Sequence, residues 1–257
     1  MFYQIKQYIK FFIKSTNQHG VHSPFVFNLV TTCFYDKTNY SSYKAILKYK
    51  KSLLKNDSKI KITDLGAGSR VMKQHERSIS NIAKNAGTTN KRAKLLFRLT
   101  NFFKPEHILE LGTSLGIATH ALSLGHPEAY ITSVEGCPEL SKFTKAQLKS
   151  HGVENISVRT ASFNDGIKSL SLNTYDLIFF DGNHQKEPTL KYFKILLKTV
   201  NNNSVFIFDD IYWSKGMREA WAVIKKHPNV TVTIDTFFWG MVFFRDEQVK
   251  EDFFIRI

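Results

Sequence analysis

Cysteine is nearly absent from this chain: Cys33 and Cys137 are the two among 257 residues. Two thiols are too few for a disulfide-built scaffold or a cysteine-rich zinc site, and they fit a reducing compartment. A long apolar run is missing too. No stretch of about 18 apolar residues occurs, so no helical membrane span is expected. Residues 1–14 interrupt their apolar positions with Lys and Gln, unlike a secretory signal. A cytoplasmic enzyme is the expectation. Acidic residues are the third shortage: 22 Asp and Glu stand against 36 Lys and Arg, for a formal charge of +14. That excess raises the weight of an anionic partner (nucleic acid, a phosphorylated metabolite or a lipid surface), or else it reflects a lysine-rich proteome. The densest basic stretch is Lys44 to Lys61. The chain is well supplied with hydrophobic residues, at 42%, and with phenylalanine, at 22 residues, which excludes wholesale disorder.

The length suits one large domain, or one domain with a modest appendage. Residues 2–16 read as an amphipathic helix, with Ile5, Ile9, Phe12 and Ile13 at helical spacing and Lys6, Lys10 and Lys14 on other faces. Such a helix either covers its own domain or rests on a membrane surface. Pro24 opens a second helix, and further helix is expected around 40–56. Residues 61–69 resemble a strand running into a glycine loop, Gly66-Ala67-Gly68, and compete for the role of cofactor turn. No second strand ending in an acidic residue follows at a suitable distance, so 62–69 reads as a loop beside the active site. Residues 78–103 read as helix. The domain boundary is expected near residue 77, with a helical N-terminal cap at 1–77 and an α/β domain at 78–257.

From about residue 105, strands and helices alternate. Strands are expected at 107–111, 130–135, 156–160, 175–180 and 204–208, with helices between. A closing antiparallel pair follows at 230–236 and 241–245, joined at Trp239-Gly240. Short apolar strands separated by helices argue for a Rossmann-like, mostly parallel seven-stranded sheet with an antiparallel C-terminal strand. No internal repeat is present, and no motif specifies an oligomeric state.

The informative polar residues stand at the carboxyl ends of these strands, where open α/β sheets place ligands. Glu110 and Gly112 close the first strand, Glu135 ends the second, and Ser162 follows the third. Asp181 and His184 follow the fourth, and Asp209 and Asp210 end the fifth. The run Gly112-Thr113-Ser114-Leu115-Gly116 lacks the lysine of a P-loop and the third glycine of the dinucleotide fingerprint. A glycine turn with a carboxylate at Glu135, able to accept from two ribose hydroxyls, points to a nucleoside cofactor. The alternative is a pair of ordinary turn glycines. Asp181, Asp209 and Asp210 together suit an oxygen-seeking cation such as magnesium, calcium or manganese. The alternative is that Asp209 or Asp210 caps the next helix. His184 is a general base, a metal ligand or a loop hydrogen-bonder.

The run Ile108 to Gly116 resembles the first motif of class I S-adenosylmethionine-dependent methyltransferases. Its Glu-x-Gly-x-x-x-Gly form is most similar to the small-molecule O-methyltransferase branch typified by the catechol and caffeoyl-CoA enzymes. The resemblance covers about residues 80–250. It implies S-adenosylmethionine as cofactor, with Glu110, Gly112, Ser114, Gly116, Glu135, Ser162, Phe163 and Asp181 at its site. Metal-dependent members carry Asp-x-x-Lys after the fourth strand, whereas this chain has Asp181-Gly182-Asn183-His184, as in a bacterial branch with Asp-Gly-x-His. They carry Asp-Asn after the fifth strand, where this chain has Asp209-Asp210. The resemblance thus implies Mg2+ or another divalent cation at Asp181, Asp209 and Asp210, with His184 in place of the catalytic lysine.

The expected reaction is in-line transfer of the sulfonium methyl to a hydroxyl oxygen, with Asp181, His184, Asp209 and Trp213 bounding the cleft. Tyr212, Trp213 and Trp239 are expected to line the acceptor pocket, and His22 and Arg70 to close over it; a structural hairpin around His22 is the rival. Trp221 reads as core. The expected acceptor is a small molecule, anionic if the positive charge serves it. RNA is a less favoured acceptor: the chain lacks the Asn/Asp-Pro-Pro-Tyr/Phe motif of base-methylating enzymes, though ribose methylation needs no such motif. A cofactor-binding protein without turnover is the remaining alternative.

Overall fold

The structure is a computed structural model that describes residues 2–63 and 76–257. The glycine loop at 64–69 and Arg70 lie outside the described residues. In chain order the elements are α1 (Phe2–Lys14), α2 (Pro24–Leu29), a π-type turn (Val30–Phe34), α3 (Ser42–Leu54), β1 (Lys59–Lys61), β2 (Glu76–Ser78), α4 (Ile79–Asn85) and α5 (Asn90–Phe103). Alternation then begins with β3 (His107–Leu111), α6 (Ile117–Gly125), β4 (Tyr130–Glu135), α7 (Pro138–Ser150), β5 (Ile156–Thr160) and α8 (Phe163–Leu170). It continues with β6 (Leu177–Phe180), α9 (Lys186–Leu196), β7 (Val205–Asp209), α10 (Lys215–Lys225), β8 (Val232–Asp235), β9 (Trp239–Phe243) and β10 (Glu251–Phe254).

The helix starts follow local chemistry. Ser23 accepts the Val26 N–H ahead of Pro24, which needs no partner for a missing donor. Ser78, Thr89 and Ser214 accept the N–H groups of Asn81, Arg92 and Met217 at the heads of α4, α5 and α10. The expected single helix over 78–103 is therefore two, because Thr89 caps a new one. At Gly87 an added Cβ would lie 2.7 Å from the Ala83 carbonyl oxygen, so the break fits only glycine without a shift.

Packing divides the chain into two compact units, Asp36–Gly166 and Met1–Tyr35 with Ile167–Ile257. Helices α1 and α2 fall in the unit that contains Ile167–Ile257. In Asp36–Gly166 the strands run in the order β3-β4-β5, all parallel, with Glu110 opposite Ser133 and Glu135 opposite Thr160. A separate antiparallel pair, β1 with β2, brackets the undescribed stretch.

In the other unit the order is β10-β8-β9-β7-β6. β6 and β7 are parallel, and β9 runs antiparallel to both β7 and β8. The final strand, β10, lies parallel to β8, an edge strand beyond the closing pair expected from the sequence. Two of the four residues of β10 are charged and three are partly or fully exposed, which hides it from any apolar-run criterion.

The closing hairpin also turns earlier than its glycine suggests. Trp239 and Gly240 lie inside β9, and the turn is Thr236-Phe237-Phe238. Asp235 Oδ1 accepts the Phe237 N–H at 2.8 Å, Thr236 Oγ1 accepts the Trp239 N–H at 3.2 Å, and Phe237 takes φ +71°. Gly240 serves packing instead: a Cβ there would stand 2.7 Å from the Trp221 indole. Trp221 is core as expected. Much of the phenylalanine is core as well. Phe180 stacks on Phe208 with centroids 4.3 Å apart, and Phe206, Phe193 and Phe243 are fully buried.

Candidate active site

In Asp36–Gly166 the candidate residues form a backbone turn held in place by side chains. Gly112, Ser114 and Gly116 have φ of +111°, +46° and +72°, a left-handed path that side chains disfavour. Glycine at 116 is also a matter of space, because a Cβ would sit 2.7 Å from Thr144 Cγ2 and 2.9 Å from the Tyr49 hydroxyl. The turn's carbonyls are tied down: Thr144 Oγ1 donates to Ser114 O at 2.6 Å, and Tyr49 Oη donates to Leu115 O at 2.8 Å. Ser114 N–H donates to Glu135 Oε2, and Cys137 N–H donates to the other oxygen, each at 2.8 Å. These two bonds fix the carboxylate at the end of β4 against the turn after β3.

Glu110 lies beneath that turn, wholly buried. Its Oε2 accepts from Thr119 at 2.6 Å and from Ser133 at 2.5 Å, and Ser133 is itself in hydrogen-bond contact with Thr113. Its Oε1 is buried without a partner among the described residues. Burial pushes the Glu110 carboxyl up to about 7; the two hydroxyls pull it down and the nearby Glu135 pushes it further up. Behind the turn, His120 stacks on Tyr49 with centroids 4.5 Å apart. Burial depresses the His120 imidazole to about 4, and neighbouring His151 acts in the same direction.

Ala161 N–H donates to Glu135 O, so Ser162 and Phe163 follow directly from the same edge of strand ends. Ser162 makes a reciprocal cap with Asp165, accepting its N–H and donating to its carboxylate at 2.7 Å. Glu110, Gly112, Ser114, Gly116, Glu135, Ser162 and Phe163 are thus gathered at or just beyond the carboxyl ends of three adjacent parallel strands.

The other unit holds a separate group of polar side chains. Asp181 directly follows β6, and Asp209 ends the adjacent β7. One ligand atom from each of Asp181, His184 and Asp209 lies within 4.8 Å of the others. His184 Nε2 is 4.0 Å from Asp181 Oδ1, beyond hydrogen-bond range. Asn183, between them, takes φ +60°, and its side-chain amide donates to the Tyr192 hydroxyl. His184 is a member of this group and Asp210 is not. Asp210 adopts φ +51° and its carbonyl accepts the Trp213 N–H, so it turns the chain away after β7.

The aromatic residues assigned to the acceptor pocket have specific partners. Trp239 is buried and its indole N–H donates to Asp209 Oδ1 at 2.7 Å. Tyr212 donates to Asp235 Oδ2 at 2.8 Å and stacks on Phe237. Its phenol is raised, chiefly by burial and then by Asp235. Trp213 is half-buried, and His22 is exposed ahead of α2. The hydroxyls of Thr119, Ser133, Thr144 and Tyr49 were not among the sequence candidates, since nothing in their spacing marks them as neighbours of the turn.

Residues 109–211 match the family model described as a methyltransferase domain. No curated protein matches the chain. Among solved structures, a Podospora anserina methyltransferase bound to SAH aligns at a TM-score of 0.61 and 14% identity, over 88% of this chain and 97% of that one. An O-methyltransferase from Bacillus cereus in complex with SAH aligns at 0.55 and 17% identity, over 83% and 95%. An O-methyltransferase of Streptomyces achromogenes, involved in tomaymycin synthesis and bound to SAM, aligns at 0.55 and 18% identity, over 63% and 82%. At such identities the likeness is one of architecture. The expected Rossmann-like α/β arrangement with its helical cap is the one found, and no helix among the described residues is long and apolar enough to cross a membrane. Residues 109–211 thus match a methyltransferase-domain model, and the chain has the α/β fold of the class I SAM-dependent methyltransferases.

Proposed function

We propose that this chain transfers the methyl group of S-adenosylmethionine to a hydroxyl oxygen of a small-molecule acceptor. The observation that carries this reading is the Glu135 bridge: a carboxylate at the end of β4, oriented by the Ser114 and Cys137 N–H groups. An ionised carboxylate accepts about four hydrogen bonds. The two main-chain donors orient it at the strand end, and a carboxylate there is the kind of acceptor that ribose hydroxyls require. Glu110 Oε1, without a partner among the described residues, supports the same reading, because the donor brings a cationic methionine end that such an oxygen suits. Gly112 offers bare backbone for close approach. Ser162 and Phe163 are assigned to the adenine end.

The acceptor is assigned to Asp181, His184 and Asp209. Its hydroxyl oxygen attacks the methyl carbon as the carbon–sulfur bond breaks, the sulfonium becomes a neutral thioether, and His184 takes the hydroxyl proton. Asp181 and Asp209, each with a carboxylate oxygen in the group that lies within 4.8 Å, fit a divalent cation such as Mg2+ or Mn2+, with His184 left to take the proton. Such an ion, when bound, would lower the proton affinity of the acceptor oxygen. The relatives described as O-methyltransferases support oxygen as the atom methylated.

Calorimetric titration with S-adenosylmethionine tests the reading. Wild type is expected to bind, and Glu135→Ala to weaken binding by about tenfold or more, the loss of charge-assisted hydrogen bonds. Unchanged affinity in that variant would overturn the ribose assignment. Assay of a hydroxyl-acceptor panel, with and without Mg2+, is expected to give turnover that His184→Asn lowers. Turnover on RNA alone, with binding that weakens steeply with salt, would replace the small molecule as acceptor.

A further inference from the structure

Helix α1 is amphipathic in an unusual sense, because its apolar side is turned outward. Gln7 and Phe11 are its buried residues. Phe2, Ile5, Ile9, Phe12 and Ile13 are 88%, 48%, 54%, 51% and 78% exposed. Those five occupy one side of the helix, opposite Gln7 and Phe11. The patch continues across Tyr8, whose ring meets Phe237 edge-on at 4.9 Å, to Phe238, which is also exposed. A contiguous apolar surface of this kind marks a docking site rather than scattered surface residues.

The charges beside it say what docks. Lys6, Lys10 and Lys14 recur every four residues, forming one exposed row along the edge of the apolar side. The Arg256 guanidinium lies over the Phe12 ring at 5.1 Å, which adds a cation at the apolar side itself. The helix contains no acidic residue. A second copy of the chain seated there about a two-fold axis would bring two lysine rows together with no acid in either helix to answer them. An anionic bilayer answers both features at once: acyl chains take the Ile and Phe side chains, and headgroups take the lysines.

We propose that α1 is a peripheral membrane anchor that lies in the surface of an anionic bilayer and holds the enzyme there. This assignment does not depend on the proposed reaction. Its test is co-sedimentation of the full chain with vesicles, either of phosphatidylcholine alone or mixed with phosphatidylserine. The protein is expected to pellet with the mixed vesicles and stay in solution with the neutral ones. Added salt should weaken binding, because screening shortens the reach of the lysine row. Ile9→Asp with Ile13→Asp should cut binding about tenfold or more; both sites are exposed, so an unchanged melting temperature is expected and checks the fold. Lys6→Gln with Lys10→Gln should lower binding and flatten the salt dependence. Wild type that stays in solution with the mixed vesicles overturns the proposal, as does equal binding by the Ile variant. A wild-type dimer in sedimentation velocity that the Ile variant dissociates, without vesicle binding, assigns the patch to a second copy instead.

Discussion

The two units hold their functional groups by opposite means. In Asp36–Gly166 the group assigned to the donor is a stretch of backbone that side chains support: Thr144 and Tyr49 fix carbonyls, and Glu135 fixes an amide. In the unit that contains Asp181 and Asp209 the group assigned to the acceptor is made of side chains, positioned by aromatic packing through the Trp239 indole and the phenylalanines behind β6 and β7. A turn made of backbone is damaged by adding atoms. A carboxylate held by an indole is damaged by removing them.

Substitutions of opposite kind should separate the two modes. The largest effect is expected from Phe206→Ala, which empties a fully buried site packed against Phe180 and Phe244. A loss of about 3–5 kcal/mol in urea unfolding is expected. Gly116→Ala should come next. Its left-handed φ and the 2.7 Å approach to Thr144 predict a loss of about 2–3 kcal/mol, together with weakened donor binding in calorimetry. A stable Gly116→Ala protein with normal donor affinity would end the account of a backbone-built turn. Trp239→Phe keeps most of the volume but strips Asp209 of its indole donor. A cost of about 1–3 kcal/mol is expected, with altered Mn2+ affinity and unaltered donor affinity. A Trp239→Phe protein that loses donor affinity instead would break the division between the two units.

These features differ in how far the sequence disclosed them. Strand ends were legible, because apolar runs of four to six residues that close on or beside Glu110, Glu135, Asp181 and Asp209 carry their own boundaries. The carboxylates that meet at the end of β6 and β7 followed from that pattern. Whether His184 or Asp210 completes the group did not, since it depends on the left-handed residues Asn183 and Asp210 that redirect the chain. The hydroxyls around the glycine turn come from α3, α6, β4 and α7, and only the packed chain brings them together. Gly240 misled for a related reason: glycine in sequence signals a turn, whereas here it makes room for an indole from α10. The outward apolar side of α1 was visible as a periodicity, but its direction was not, because period alone does not say which face packs inward.

The smallest effect expected is a pair of pH dependences of opposite sign, both within Asp36–Gly166. Burial lowers His120 to about 4, so the unfolded chain takes up its proton first as pH falls. Stability from His120 is complete above its ordinary value of about 6.5 and is lost between there and pH 4. Burial raises Glu110 to about 7, so the folded chain keeps a proton that the unfolded chain releases. Stability from Glu110 is complete below about 4.5 and is lost as pH rises to 7. Between about 4.5 and 6.5 the two slopes oppose, and wild-type stability should change little. Glu110→Gln removes one of them. The urea midpoint of that variant should climb with pH from 4 to 6.5 and then level off. His120→Phe, which retains a ring against Tyr49, should show the reverse, a midpoint that falls from 4.5 to 7. Each unmasked slope is worth on the order of 1–3 kcal/mol. Parallel pH profiles for wild type and Glu110→Gln would mean that this carboxyl is ionised in the folded chain at acid pH. Its Oε1 would then have to be satisfied by a group outside the described residues.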